Sequence, residues 1–281
     1  MTVHSGRFGT IDGIPAVRNW QINDDASLSA FANSATRRAQ GRRKGVSQWG
    51  GSYGAHGAVP IVLPGELFDF LGYTAPDTDV EGTAGITYSG NAIVDSFGVA
   101  WDWAGGSVLA HQIGFSGNLA LTKTPADAAV LDASVSDPEY PCPTKITYSV
   151  DGITFTELTD LVQASFNIQA QNSAYVNSST GCNTGRKAGL IDWNLSMTTE
   201  NNNLGGGLTK FTDYWFRLYI TATTYYELKF GMVKSFSGLT IDEESGRIIS
   251  HTINVEANAV KAGGSVGHIL LPDTTLWWGD A

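Results

Sequence analysis

The sequence predicts a mostly β protein that contains two tandem copies of one domain, each with a short flanking helix. Three observations carry this prediction: a turn-rich composition, alternating apolar and polar runs, and a long phrase that returns 144 positions later. The chain has 33 Gly among 281 residues, and Asp-Gly pairs stand at Asp12-Gly13 and Asp151-Gly152. Because Gly takes positive φ at little cost, Asp-Gly between β-rich runs predicts a hairpin turn.

The returning phrase is the strongest sign of a duplication. Residues 29–52 and 173–196 align without a gap and share ten identical residues, among them Trp49 with Trp193 and Arg42 with Arg186. Shorter matches keep the same order along the chain, including "SF" at 96–97 with 235–236 and "HQIGFSGN" with "HTINVEAN". Ordered matches at a nearly constant offset are typical of an internal repeat. We therefore predict a first domain over 5–122, a linker over 123–142, a second domain over 143–260 and a C-terminal arm over 261–281.

Each predicted copy has the same succession of elements. The runs "VRNWQIN" and "ASFNIQAQ" alternate apolar and polar residues, which predicts strands. A Gly-bounded polar phrase follows and predicts a long loop or hairpin tip, from which a strand leaves through Trp49 or Trp193. The closing strands are predicted in "AGITYSGNAIVDSF" and "LAHQIGFSGNLAL" in the first copy, and in "TYYELKFGMVKSF" and "IISHTINVEANAV" in the second.

A short helix is predicted before the closing strands of each copy. In "PGELFDFLGYT", Pro64 and Glu66 resemble helix start signals and Gly72 a stop signal. In "TKFTDYWFRLYI", Thr212 or Asp213 would cap the corresponding helix. Another short helix is predicted over 126–131, ahead of the Pro-rich end of the linker.

Charge and composition exclude several classes of protein. The formal net charge of −10 argues against a general binder of nucleic acid or anionic membranes. No stretch approaches about 20 apolar residues, so no membrane span is predicted. The N-terminal residues have no apolar core, so they are not predicted to be a secretory signal. Cys142 and Cys182 are predicted to be free thiols, with a disulfide as the less favoured alternative.

No pattern for catalysis, a cofactor or a metal is found. The five His include His111 and His251 at matching places in the repeat, but none has the spacing of a metal or catalytic motif. We predict structural hydrogen bonding for these two His. No G-x-S-x-G elbow or phosphate loop occurs, and "IDEESG" at 241–246 is predicted to be a solvated turn. The expectation is a protein that is not an enzyme and has no cofactor.

The eight Trp allow two interpretations. Trp101, Trp103, Trp277 and Trp278 could stack on sugar rings, as in a carbohydrate-binding module. Trp49 and Trp193 recur in both copies, so core or interface packing is the favoured interpretation for them.

With strands, a long "NS-T … G-R-x-x-G … W" phrase, a short helix and closing strands in each copy, the chain resembles the tail tube proteins of tailed bacteriophages. The resemblance covers the whole chain, because each of the two copies resembles one tail tube domain. It implies β-sandwich or barrel-like domains and a structural role in the virion tail, with assembly in the host cytoplasm. It implies self-association into stacked rings around a lumen through which genomic DNA passes without specific binding. Further implied partners are the tail terminator, tape measure and distal tail proteins.

The repeat predicts how many chains make a ring. Single-domain members of the family form six-membered rings, so two fused copies imply a pseudo-hexameric ring of three chains. Fusion would also raise the effective concentration of half of the ring contacts. The alternative to a tube subunit is a tandem carbohydrate-binding or adhesin β-sandwich protein.

A basic cluster in the returning phrase is the candidate site. Five basic residues fall in 37–44, and two remain in the matching span of the second copy. A basic lumen would retain DNA by its phosphates, so a contact with an acidic surface on the adjoining ring is the favoured hypothesis, and a solvated loop is the alternative. The predicted ring-stacking residues are Arg37, Arg38, Arg42, Arg43, Lys44, Arg186 and Lys187.

Overall fold

A computed structural model of the 281-residue chain gives the fold. It describes residues 17–32, 39–56, 64–74, 86–103, 110–125, 145–176, 183–187, 189, 191–200, 203–219, 224–258 and 279–280. The predicted helix over 126–131, most of the predicted linker, Asp12-Gly13 and both Cys lie outside these ranges.

Sixteen strands form in the described residues. The first six are β1 (Val17–Ala32), β2 (Ala39–His56), β3 (Leu67–Thr74), β4 (Ile86–Asp102), β5 (Ala110–Gly117) and β6 (Thr122–Pro125). They are followed by β7 (Ile146–Ser149), β8 (Thr156–Glu157), β9 (Leu161–Ala170), β10 (Ser173–Val176), β11 (Asn183–Lys187) and β12 (Ile191–Thr199). The last are β13 (Asp213–Tyr219), β14 (Thr224–Ile241), β15 (Ile248–Ala257) and β16 (Gly279–Asp280). The prediction of a mostly β protein is confirmed.

Fourteen of these strands make one large antiparallel sheet. Its order is β1-β2-β5-β4-β9-β12-β15-β14-β13-β7-β8, with β3 and β6 also paired to β4 and β16 paired to β14. Strands β10 and β11 form a separate two-stranded hairpin. The sheet therefore runs without interruption from the first half of the chain into the second.

The two flanking helices that the sequence predicted are wrong, since none of the described residues is helical. The segment after Pro64 forms β3, and the segment after Thr212 forms β13. In β3, Phe68 and Phe70 are buried and Leu67 is exposed, which is the two-residue period of a strand. Pro64 and Gly72 match the signals of helix ends, but the buried residues between them alternate, which indicates a strand.

The order of strands in the first half of the sheet recurs in the second. Strands β1-β2-β5-β4-β3 pair in the same succession as β9-β12-β15-β14-β13. The register recurs as well: Gln21 lies opposite Ser52 in β1–β2, and Ser165 lies opposite Ser196 in β9–β12. In β4 and β14 a register shift falls at the same place, after Val94 and after Val233.

One face of the sheet carries the hydrophobic core. Along β9, Ala164, Phe166 and Ile168 are buried, while the residues between them are exposed or half-buried. The same alternation places Trp193, Leu195 and Met197 of β12 on the core face. The sheet also folds over its own core. Phe68 of β3 packs edge-on against Phe115 of β5, and Tyr226 of β14 packs edge-on against Phe97 of β4.

Predicted turns are confirmed where the structure describes them. Asp151-Gly152 lies in the β7–β8 hairpin, where the Asp151 carboxylate accepts hydrogen bonds from the backbone N–H groups of Ile153 and Thr154 at 2.9 Å. Gly152 has a φ of +72°, which Gly adopts without a Cβ penalty. Residues 242–246 form the solvent-exposed turn between β14 and β15.

Candidate assembly interface

The two halves of the sheet meet where β4 pairs with β9. Seven residue pairs join them, from Ser96 opposite Gln169 to Asp102 opposite Gln163. On the core face, Phe97, Val99 and Trp101 of β4 are 2% exposed or less. One edge of β4 pairs with two strands in succession: its first part pairs with β3 and its second part pairs with β9. We call this pairing the internal junction.

In the second half of the sheet, β14 has an edge like the one by which β4 pairs with β9. In β14, the first part pairs with β13, as the first part of β4 pairs with β3. Residues 235–241 pair with β15 on one side, and no described strand pairs with them on the other. At the opposite end of the sheet, β1 pairs with β2 alone among the described strands. We call the outer side of 235–241 the β14 edge.

Apolar side chains are exposed at the β14 edge where their counterparts in β4 are buried. Leu239 is 49% exposed and Ile241 is 50% exposed, whereas Val99 is 2% and Trp101 is 1% exposed. Phe236, the counterpart of the fully buried Phe97, is only partly buried. The difference arises because β9 pairs with this part of β4 and Tyr226 packs on Trp101, whereas no described strand pairs with the outer side of 235–241.

A small hairpin of the second half reaches across to the first half. Arg186, on β11, donates from its Nε to the carbonyl oxygen of Gly117 at 2.9 Å. The backbone N–H of Arg186 donates to Oδ1 of Asn118 at 2.5 Å. Arg186 also borders a polar groove over β1, β2 and β5, together with Asp25 and Ser116. The hairpin β10–β11 therefore contacts the first half beside the internal junction.

The predicted ring-stacking residues lie in different situations. Arg37 and Arg38 lie outside the described residues. Arg42, Arg43 and Lys44 lie in β2 rather than in a loop, opposite Ala30, Ser29 and Leu28. In the second half, Arg186 is held by intrachain hydrogen bonds and Lys187 is exposed. Contact of these residues with another ring stays a prediction.

The face of the sheet opposite the core is polar where the structure describes its side chains. It carries mostly Asn, Gln, Ser and Thr, some of which bond across strands: Asn254 donates to Ser237 at 2.9 Å, and Thr198 bonds to Thr252 at 3.2 Å. Exposed carboxylates occur on this face, and Glu256 is paired with Lys234 at 2.5 Å. Asp25 and Asp192 are also exposed on this face. A face of this kind can meet water or a polyanion without binding either tightly.

The predicted structural role of His111 and His251 is confirmed. Both are buried; Nε2 of His111 bonds to the Tyr226 hydroxyl at 2.8 Å, and Nε2 of His251 accepts from Gly205 N–H at 2.8 Å. Across the described residues, no cluster of three His, Cys, Asp or Glu could hold a metal ion. Nor do these residues include a helix long and apolar enough to cross a membrane.

We expect the free energy of unfolding to fall as the pH drops below about 6.5, in part through His251. Burial lowers the pKa of His251, so the folded chain holds this side chain neutral while the unfolded chain takes up a proton. The loss approaches about 1.4 kcal/mol per pH unit between the unfolded and folded pKa values. Urea unfolding of wild type and H251Q between pH 7.5 and 5.5 measures it. Gln keeps an acceptor for Gly205 but does not titrate, and equal slopes for both proteins would contradict the expectation.

Sequence reasoning missed the residues that surround the junction. Asn118 and Asn258 end the two matched phrases "HQIGFSGN" and "HTINVEAN", and this match was the available signal. Leu239 and Ile241 gave no signal, because only the sheet order makes them an edge. Trp101, which the alternative function would need at the surface for sugar stacking, is buried.

No protein-family model matches this chain, and no curated protein matches it. Its function therefore has to be argued from its own geometry.

Proposed function

We propose that this chain is the tube subunit of a bacteriophage tail, and that its copies join head to tail into rings that stack into a hollow tube. The observation that supports this best is the correspondence between the internal junction and two open edges of the sheet. The β14 edge, which no described strand pairs with, has the form of the β4 edge, and β1 has the form of β9. A second copy could therefore add its β1 to the β14 edge.

The recurring strand order supports two tandem β-sandwich-like domains. Each would consist of a polar-faced inner sheet and an outer layer built on β3 or β13. Residues that pair in the first half have counterparts that pair in the second, at offsets of 139 to 144 positions. A head-to-tail contact between like units closes into a ring when the rotation fits, and six units would come from three chains.

Exposed apolar residues at the β14 edge also favour association. Open sheet edges are templates for pairing with another chain. The β14 edge has register shifts relative to β15 at Ser237/Thr240 and Thr240/Ile241, yet its apolar side chains stay exposed. Here the edge presents Leu239 and Ile241, each about half exposed, beside the positive-φ residue Gly238. Addition of β1 from a neighbour would bury these side chains, as β9 helps to bury Val99 and Trp101.

The polar face of the sheet is the proposed lumen. Continued around a ring, it would present amides and hydroxyls with exposed carboxylates at Asp25 and Asp192, and with Glu256 paired to Lys234. Fixed negative charge repels phosphates, and uncharged amides bind them only weakly, so DNA could slide without being retained. This accords with the net charge of −10.

Stacking of rings is assigned to the hairpin of the first half, in keeping with the predicted ring-stacking set. Its strand β2 carries Arg42, Arg43 and Lys44, and Arg37 and Arg38 belong to the same phrase. Contact with an acidic neighbouring ring would make tube length sensitive to salt. The tail terminator, tape measure and distal tail proteins stay proposed partners, and the virion tail stays the proposed location.

Negative-stain microscopy of the concentrated protein tests the proposal directly. We expect rings with pseudo-sixfold symmetry, and tubes made of such rings at higher concentration. Sedimentation velocity on the same samples should find three chains in the smallest closed particle. A protein that stays monomeric at all concentrations and is retarded in gels containing a glycan would instead support the carbohydrate-binding alternative.

A further inference from the structure

We infer that Arg42 fastens each chain to its neighbour within the ring, by binding the end of β15 in that neighbour. The contact would repeat between chains what Arg186 does within one chain. The atoms that would receive it are the carbonyl oxygen of Ala257 and the side chain of Asn258. This inference rests on the proposed function, since it needs a ring of copies, and it gives Arg42 a role within the ring instead of between rings.

The donor side of the contact is equivalent in the two halves. Arg42 lies opposite Ala30 in the β1–β2 pair, and Arg186 lies opposite Ala174 in the β10–β11 pair. The next pair toward the hairpin tip is Phe31 with Gly41 in one case and Tyr175 with Gly185 in the other. A register shift follows at the same step in both hairpins. The backbone therefore presents Arg42 at the position that Arg186 occupies.

The receiving side is equivalent as well. Gly117 is the last residue of β5 and pairs with Ala92, and Ala257 is the last residue of β15 and pairs with Gly231; Asn118 and Asn258 follow them directly. The N–H of Asn118 donates to the Asn91 carbonyl at 2.8 Å, and the N–H of Asn258 donates to the Phe230 carbonyl at 2.8 Å.

Both asparagine side chains are also held in a matching way. Nδ2 of Asn118 donates to Oδ1 of Asn91 at 2.7 Å, and Nδ2 of Asn258 donates to Oδ1 of Asp213 at 2.6 Å. In the internal junction this arrangement directs Oδ1 of Asn118 to the backbone N–H of Arg186. The equivalent amide of Asn258 is thus positioned for the same bond to Arg42 of a neighbour.

The charges around the two sites also differ. In the internal site Ser116 bonds to Asp95, whereas the corresponding Glu256 is paired with Lys234 at 2.5 Å, and Asp213 adds a carboxylate beside Asn258. On the donor side, Lys187 and Ala188 correspond to Arg43 and Lys44. A contact between chains has no covalent tether, so opposite charges near it would help by faster encounter and better orientation.

Cysteine pairs test the contact in the full-length chain, with Cys142 and Cys182 replaced by Ser. The pair R42C with N258C should form disulfides between chains, seen on non-reducing gels as linked dimers and trimers. The pair N118C with R186C is the matched control. Its disulfide should form within one chain, so the protein should still run as a monomer on the non-reducing gel. If the control links and the wild type forms rings, yet R42C with N258C stays unlinked, the inference is overturned.

A charge exchange provides a second measurement that does not depend on disulfide geometry. R42E should weaken ring closure at least tenfold, measured as the concentration at which closed rings appear by mass photometry in low salt. E256R added to R42E should restore a large part of the loss, and K187E, an equal charge change on the exposed part of β11, should have little effect. R42E rings that close at the wild-type concentration, with only tube length changed, would overturn the inference and return Arg42 to stacking. A wild type that forms no rings at all would instead refute the proposed function, and this inference with it.

Discussion

Placing two lysines on the β14 edge, by Leu239→Lys with Ile241→Lys, is expected to abolish ring closure and leave each chain folded. In the single chain both side chains are about half exposed, so the charges stay in water. In the proposed ring these positions would be covered as Val99 and Trp101 are, at 2% and 1% exposure. Burial of an unpaired charge costs several kcal/mol, so association should weaken by about two orders of magnitude or more.

Sedimentation velocity and negative-stain images of the variant would measure the loss of closed particles and tubes. The control is Ile153→Lys, which places one such charge on an apolar residue that is 84% exposed in the β7–β8 turn, away from the edge. Circular dichroism should give both variants the spectrum of the wild type. Rings that form normally from the edge variant would contradict the role assigned to β14.

The recurring strand order could be predicted from the sequence, because short runs of residues in the first half match runs in the second half in the same order. The matches around Trp49 and Trp193 fix an offset of 144 positions, and the pairs Gln21–Ser52 and Ser165–Ser196 keep this offset in the sheet. Loop changes of a few residues account for the smaller offsets farther along the chain. Alternation of buried residues placed most strands correctly, since a strand with one buried face needs a two-residue period.

The helices were predicted wrongly because end signals were given more weight than period. In β13, Tyr214, Phe216 and Leu218 are buried, and the intervening Trp215 and Arg217 are half-buried. A helix would have put these residues on several faces. Pro64, Thr212 and Gly72 are compatible with helix ends, but each is equally compatible with the start of a strand or with a strand interior that tolerates Gly.

The internal junction could not be predicted from sequence, and the proposed site depends on it. Pairing of β4 with β9 joins residues 61 to 73 positions apart, and nothing local distinguishes Ser96–Asp102 from other strand segments. The same holds for the β14 edge, because an edge is defined by which strand lies beside it. In the proposed ring, the pairing of the junction would recur between the β14 edge and β1 of a neighbour, and the basic hairpin would meet the end of β15 in that neighbour.

Trp193→Ala is expected to lower the free energy of unfolding by about 3–5 kcal/mol, which is among the largest effects of a single substitution in the core. Trp193 is 2% exposed and packs edge-on against Phe166, with ring centroids 6.1 Å apart. Gly231 lies so close that an added Cβ would come within 2.7 Å of Cη2 of Trp193, so the surrounding residues are already fitted to the indole. Urea unfolding in the Leu239→Lys, Ile241→Lys background measures the effect without a contribution from assembly.

The equivalent tryptophans can be compared with each other, because both are buried but their hydrogen bonding differs. Nε1 of Trp49 donates to the carbonyl oxygen of Leu119 at 2.5 Å, whereas Nε1 of Trp193 is buried with no hydrogen-bond partner among the described residues. Trp49→Phe removes a donor that makes a hydrogen bond, whereas Trp193→Phe removes a buried N–H group that makes no hydrogen bond among the described residues. Trp49→Phe should therefore cost more, by about 1 kcal/mol. The opposite order would mean that the two indoles are not held as described, and that the halves are matched in strand order but not in core packing.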